Sequence, residues 1–278
     1  MQKYSALSPA QIEQFLAKGF IVIHDAFDPA LCKRRVERAW MRMGYDPADP
    51  KTWAKSRVTM PNFEFIEARD FSPVVWRTAC ELMGGEERVL RPCTFSDGFI
   101  VNLSGGDDRP WEPPTVAVKG WHKDGNFFRH FLDSPEQGLL TLVLWSDLES
   151  RGGGTFVAQD SVAPVARYFA TRPEGVLPNE IPFRTLVEQC SSFFEVTGRA
   201  CDVVLLHPYV LHASSQNHLR KPRFLTNPPF KLVEPMNFNR ADPSDFSLVE
   251  LSVLRALGVE RLDFQPTRPR ERVDTTRV

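Results

Sequence analysis

Between residues 97 and 232 the chain is a succession of short apolar runs, and this limits what it can fold into more than any other feature. The runs are DGFIVNL (97–103), AVKGWHKD (117–124), GLLTLVLWSDL (138–148), GTFVA (154–158), FFEVTG (193–198), DVVLLH (202–207) and RFLTNPPFKL (223–232). Gly105-Gly106, Gly152-Gly153-Gly154 and Gly198 punctuate them. Runs of this length, rich in β-branched and aromatic residues and bounded by turn residues, read as strands. Several in series predict an antiparallel sandwich or barrel.

Helical signals lie mainly before and after this region. Ser8-Pro9-Ala10-Gln11 has the residues of a capping box with proline in the first turn, so a helix should run to Gly19, followed by a buried strand at 20–24. Asp28-Pro29 opens a second helix ending before Gly44, residues 45–62 look irregular, and a third helix over about 72–83 stops at Gly84-Gly85. Further helices are expected at 161–171 and 182–190. Another should start at the Ser247-x-x-Glu250 box and end at Gly258. A single domain over 1–265 is expected, with a polar, flexible tail at 266–278.

Composition removes several function classes. The 278 residues carry 34 basic and 35 acidic side chains, so there is no basic field to hold a nucleic acid. No window is apolar and long enough to span a membrane, and the N-terminus shows no signal-peptide core. Cys32, Cys80, Cys93, Cys190 and Cys201 are odd in number and scattered, which speaks against a disulfide framework and for a reducing, cytoplasmic compartment. A small-molecule partner is the remaining expectation, and nothing in the sequence sets the oligomeric state.

The chemistry concentrates in GWHKDGNFF (120–128). On a strand, alternate residues share a face, so His122 and Asp124 would project together while Lys123 points away. The pair is either a metal-binding start or an ordinary polar pair. A third ligand can come from DVVLLHPYVLH, where a buried strand ends at His207 and Pro208, and His212 follows. Two histidines and a carboxylate on one face leave coordination positions open, the pattern of non-haem Fe(II) oxygenases. Arg223, eleven residues past His212, is suited to grip a carboxylate with two parallel hydrogen bonds, and Ser214 is close enough in sequence to assist. The competing reading of Arg223 is a surface ion pair.

The combination WHKD, WSDLESRGGGTFV and GRACDVVLLHPYVLHASSQNHLRKPRF, with LSPAQIEQFLAKGFIVIHDAF at the start, resembles the phytanoyl-CoA dioxygenase family over roughly residues 7–230. That resemblance implies a mainly β fold with flanking helices, a cupin-like double-stranded β-helix or jelly roll. It implies an Fe(II)-binding dioxygenase that uses 2-oxoglutarate and dioxygen as co-substrates, with His122, Asp124 and His212 as ligands. Arg223 and Ser214 would hold the distal carboxylate of 2-oxoglutarate. Trp145 would line the co-substrate pocket or else pack in the core. His207 would support the site or the core without binding metal. Gln159-Asp160-Ser161 departs from the Gly-Ser-His triplet that many relatives carry.

The substrate is less legible. Asn126, Phe128, His130 and Trp111 are the residues expected to contact it, with core or surface packing as the alternative for His130. The Gly- and Pro-rich loop 104–116 reads as either a lid or a surface insertion. A carboxylate at position 124 favours hydroxylation over halogenation, and no basic cluster suits the phosphates of CoA. Two other classes compete: a cupin-type metal enzyme that does not use 2-oxoglutarate, and a non-catalytic binding protein on the same fold.

Overall fold

The structure is a computed structural model and describes residues 4–273. In chain order its regular elements are α1 (Pro9–Lys18), β1 (Phe20–Ile23), α2 (Pro29–Met43), β2 (Arg57–Thr59), β3 (Phe65–Glu67), α3 (Ala68–Phe71), α4 (Pro73–Met83), β4 (Thr94–Ser96), β5 (Ile100–Asn102), β6 (Leu140–Leu144) and β7 (Thr155–Ala158). They continue with α5 (Val162–Ala170), α6 (Phe183–Val187), β8 (Phe193–Glu195), β9 (Val203–Leu206), β10 (His212–Ser214), β11 (Arg223–Thr226) and α7 (Leu248–Leu257).

The helices start and stop for local reasons. Ser8 accepts from the Gln11 N–H while the Gln11 side chain accepts from the Ser8 N–H, and Gly19 closes α1 in the left-handed conformation. Ser247 and Glu250 repeat the box at α7. No helix among the described residues is long and apolar enough to cross a membrane.

The strands form a six-stranded sheet in the order β1-β9-β6-β11-β5-β2 and a three-stranded sheet in the order β10-β7-β8, with β3 and β4 as a separate pair. Every pairing is antiparallel. Neighbours distant in sequence lie side by side, as in β1 with β9 and β11 with β5. The two sheets face one another, and Phe20 of β1 stacks on Phe194 of β8 with ring centroids 5.7 Å apart. This is the jelly-roll arrangement with flanking helices. The outer face of the large sheet is buried by helices: Phe224 of β11 meets Trp40 of α2 at 5.2 Å, and Phe71 of α3 lies 5.7 Å from Trp145 at the end of β6.

Three expectations change. Residues 117–124 do not form a regular strand. They reach β10 only through an isolated bridge between His122 and His212. The stretch 45–62 is not wholly irregular, because it contains β2 at the edge of the large sheet. The tail does not fray over 266–273. Thr267 N–H donates to Pro173, Val273 N–H donates to Phe127, and Arg270 pairs with Asp133 at 2.6 Å. Its last five residues, 274–278, lie outside the described residues.

Candidate metal centre

The centre is built where the 117–124 segment touches β10. His122 and His212 exchange backbone hydrogen bonds at 3.0 and 2.9 Å, which sets their rings side by side with centroids 4.4 Å apart. Each Nδ1 lies against the carbonyl two residues earlier in the chain. His122 meets Gly120 at 2.7 Å and His212 meets Val210 at 3.1 Å. A carbonyl accepts only, so Nδ1 carries the proton and each Nε2 keeps its lone pair for a metal. Asp124 Oδ1 lies 3.6 Å from Nε2 of His122 and 3.4 Å from Nε2 of His212. The other carboxylate oxygen accepts from Asn227 Nδ2 at 3.1 Å, so it is Oδ1 that remains for coordination.

One ligand atom from each of the three residues lies within 4.8 Å of the others. An ion about 2.1 Å from each ligand would have adjacent ligands roughly 3 Å apart, close to the separations seen. The donor set is two imidazoles and one carboxylate, which suits iron and leaves positions open. Burial opposes charge on Asp124, but the two imidazoles that face it outweigh burial and hold the carboxyl well below its usual range. Burial likewise opposes charge on His122. The nearby Asp124 carboxylate and the Gly120 carbonyl nonetheless raise its pKa.

Behind the ligands the chain folds on itself. Gly125 has φ +113°, where a side chain is strained, and a Cβ there would meet Phe128 at 2.5 Å and His130 at 2.7 Å. Lys123 is buried and donates to the Asp124 carbonyl at 3.0 Å and to His130 Nδ1 at 2.8 Å. Burial pushes its pKa down to about 7. His130 Nε2 then donates to the Gly125 carbonyl at 2.6 Å. Lys123 does point away from the metal, as alternation predicts, yet it is structural and not solvated.

Two cavities flank the triad. One of about 400 Å³ lies on the Asp124 side and is lined by Lys123, Asn126, Phe127, Glu136, Gln137 and Asn227, among others, along with His122 and Asp124. The other, of about 360 Å³, is lined by Gly120, His122, Ser214, Arg57, Arg109 and Lys119 with one carboxylate, Glu112, among others. Gly120 and Ser214 stand one step along from the His122–His212 bridge, so this cavity exists because the pairing ends there.

The basic cavity is backed by a row of donors on the inner face of the large sheet. Arg57 of β2 and Arg223 of β11 both stand opposite Asn102 of the intervening β5. Arg57 donates to the carbonyls of Gly105 and Ser215 at 3.4 and 3.1 Å. Arg223 donates to Ile100 at 3.1 Å, and its buried Nε has no acceptor. Asn102 Nδ2 is also buried without an acceptor. Burial, and then the neighbouring Arg57, push the Arg223 pKa down to about 10. Burial, and then Arg109, lower that of Arg57. Clustered cations with orphaned donors are costly unless an anion answers them.

The structure brings His122, Asp124 and His212 together, puts Ser214 on the basic cavity and Asn126 on the other, and sets Arg223 behind Arg57. The other four candidates lie outside both cavities, which for Trp145 and His130 is the packing alternative. Trp145 faces away from the site, on the sheet face opposite to Arg223. It packs against Phe27 at 4.9 Å and Phe99 at 5.4 Å, lies under the Arg35 guanidinium and donates to Thr226 at 2.9 Å. Phe128 is fully buried in the wall, because the turn at Gly125 breaks the alternation and turns Phe127 to the cavity. His130 is held by Lys123 and Gly125 and is closed to a substrate. Trp111 lies edge-on to Phe156 at 5.8 Å, which makes it a fastener for its loop. Glu112 N–H and the Pro110 carbonyl are both bound by Gln216. His207, expected not to bind metal, is buried against α7, with Nε2 on the Val249 carbonyl at 3.2 Å and Nδ1 accepting from Tyr209 N–H. Arg57, Asn102 and Asn227 were not singled out from the sequence. No local motif marks them, and only strand pairing brings the first two beside Arg223.

No protein-family model matches the chain, and no curated protein matches it. Solved structures do resemble it. The non-heme alpha-ketoglutarate-dependent carbocyclase SnoK from nogalamycin biosynthesis is 15% identical with a TM-score of 0.51, over 83% of this chain and 86% of that one. AviO1 from Streptomyces viridochromogenes Tue57 is 16% identical with a TM-score of 0.48, over 82% and 96%. EctD from S. alaskensis, solved with 2-oxoglutarate and 5-hydroxyectoine, is 19% identical with a TM-score of 0.43, over 82% and 77%. At such identities the carbocyclase likeness establishes the shared fold, and the two lower scores add nothing to it.

Proposed function

We propose that the protein is an iron(II)- and 2-oxoglutarate-dependent dioxygenase that oxidises a small metabolite in the cytoplasm, and that it is a member of the phytanoyl-CoA dioxygenase family. The observation that carries this reading is the facial His122–Asp124–His212 set beside a cavity lined by Arg57, Arg109 and Lys119, with the orphaned donors of Arg223 and Asn102 behind it. The carbocyclase of the same fold is described as alpha-ketoglutarate dependent, which agrees with it.

In this reading the imidazoles of His122 and His212 and Oδ1 of Asp124 hold the iron, with Asn227 fixing the carboxylate. Arg57, Arg223, Asn102 and Ser214 receive the carboxylate of 2-oxoglutarate that points away from the metal. Bound iron would activate dioxygen at the expense of 2-oxoglutarate. The protein's part is to fix the ligand geometry, neutralise the dianion and keep water from the reacting centre. Asp124 fills the position that a halide would need, so hydroxylation or a related oxidation is favoured over halogenation.

The test is anaerobic titration of the protein with Fe(II) and then 2-oxoglutarate, following the visible charge-transfer absorption. His212→Ala should lose the band and tight iron binding, while His207→Ala keeps both. Arg223→Leu should keep iron but weaken 2-oxoglutarate by about 2–5 kcal/mol. Iron lost from the His207 variant and kept by the His212 variant would refute the ligand assignment. Turnover independent of 2-oxoglutarate would move the protein to another class of cupin enzyme.

A further inference from the structure

The two cavities beside the triad have opposite hydrogen-bonding character. The basic one is lined by Arg57, Arg109 and Lys119, with the buried donors of Asn102 and Arg223 behind it. The one on the Asp124 side is lined by Glu136 and Gln137, each with a buried acceptor that nothing in the protein satisfies. Gln137 is 4% exposed, and its Oε1 has no donor. Glu136 Oε2 is buried and has none either. The ammonium nearby does not answer them. Lys123 acts on Glu136 only through charge, since its hydrogen bonds go to the Asp124 carbonyl and His130. Asn227 Nδ2 is likewise committed to Asp124. The cavity holds no arginine, and its apolar walls are confined to Phe127 and Pro229.

A buried acceptor without a donor costs about 1–3 kcal/mol, and more when it is charged. Two of them at adjacent positions beside a candidate metal centre are explained by a ligand that brings donors. The cation on this cavity, Lys123, is bound to the Asp124 carbonyl and His130, so a carboxylate or phosphate would have to compete for it and would be repelled by Glu136. A hydrocarbon chain would leave both acceptors buried and unmet. We propose that the substrate is a small polar molecule presenting hydroxyl or ammonium donors to Glu136 and Gln137, as a polyol or an amino sugar does. The inference rests on the oxygenase reading for the reaction that follows, but the binding chemistry stands apart from it.

Four probes separate the classes: myo-inositol with hydroxyls only, glucosamine with hydroxyls and an ammonium, glucuronate with hydroxyls and a carboxylate, and octanoate with a chain and a carboxylate. Saturation-transfer NMR and calorimetric titration on the full-length, metal-loaded protein read their binding. Inositol or glucosamine should bind more tightly than glucuronate and octanoate, and Gln137→Leu should weaken the bound probe roughly tenfold. Glu136→Gln, which keeps shape and hydrogen bonding, distinguishes the two donor sources. Loss of glucosamine alone assigns Glu136 to an ammonium, and equal loss of both assigns it to a hydroxyl. Tighter binding of octanoate or glucuronate, binding of no probe, or unchanged binding in both variants overturns the proposal. The Fe(II)–2-oxoglutarate absorption of the same preparation reports on the oxygenase reading alone, so the two can fail separately.

Discussion

Asp124 shows how much of a site is decided by single contacts. Its Oδ2 accepts from Asn227, which leaves Oδ1 between the two Nε2 atoms. An outer partner of this kind typically supports metal affinity by about 10–100-fold. Asn227→Ala should therefore weaken metal binding by that order in calorimetric titration while the circular dichroism spectrum stays unchanged, and equal affinity would remove Asn227 from the site. Arg57 is the second case. It lines the basic cavity, whereas Arg223 lies behind it. Arg57→Leu should weaken 2-oxoglutarate by on the order of 2 kcal/mol or more, with iron affinity preserved. An unchanged dissociation constant would leave Arg223 and Ser214 as the anchors. The spacing after His212 makes Arg223 legible in the sequence. Arg57 is not, because its relation to Arg223 runs through Asn102, across two strand pairings.

At the scale of elements, caps were the most readable signals and the 117–124 run the least. The capping boxes at Ser8 and Ser247 and the closing glycines 19, 44, 84 and 258 place helix ends that the structure reproduces. The hydrophobic pattern of AVKGWHKD fits a strand, but the segment pairs only at His122, and the turn at Gly125 then throws Phe128 into the wall. This turn makes a sharp prediction. Gly125→Ala would be strained by its positive φ and would push Phe128 and His130 aside, so it should cost on the order of 1–3 kcal/mol of stability. Metal affinity should fall with it, because Lys123, Asp124 and His130 form one hydrogen-bonded unit. Thermal unfolding and metal titration of the same variant check both, and a variant that loses neither would mean that the loop tolerates a side chain. The 104–116 loop is similarly fixed by tertiary contacts, with Gln216 holding Pro110 and Glu112, and Arg220 pairing with Asp107 at 2.6 Å.

For the molecule as a whole, His207 links the fold to pH. It is buried between β9 and α7, and burial pushes its pKa from 6.5 down to about 3. Above pH 6.5 neither the folded nor the unfolded chain protonates it, and its contribution to stability is complete. Between pH 6.5 and about 3 the unfolded chain takes up a proton that the native state refuses. Stability then falls by up to about 1.4 kcal/mol per pH unit, several kcal/mol in all. Thermal unfolding from pH 7 to pH 4 should show this loss, with His207→Asn starting lower and falling less steeply; parallel curves would exclude His207 as the cause. The sequence by itself determined the helix ends, the β-rich class and the three candidate ligands, because caps, short apolar runs and histidine–carboxylate spacing are local or combine few residues. Only the tertiary structure decided that Trp145 faces the helices, and that Arg57 and Asn102 share a row with Arg223 behind one of the two cavities. These facts depend on which strands become neighbours and which sheet face a side chain occupies, and a single shift of register would reverse them.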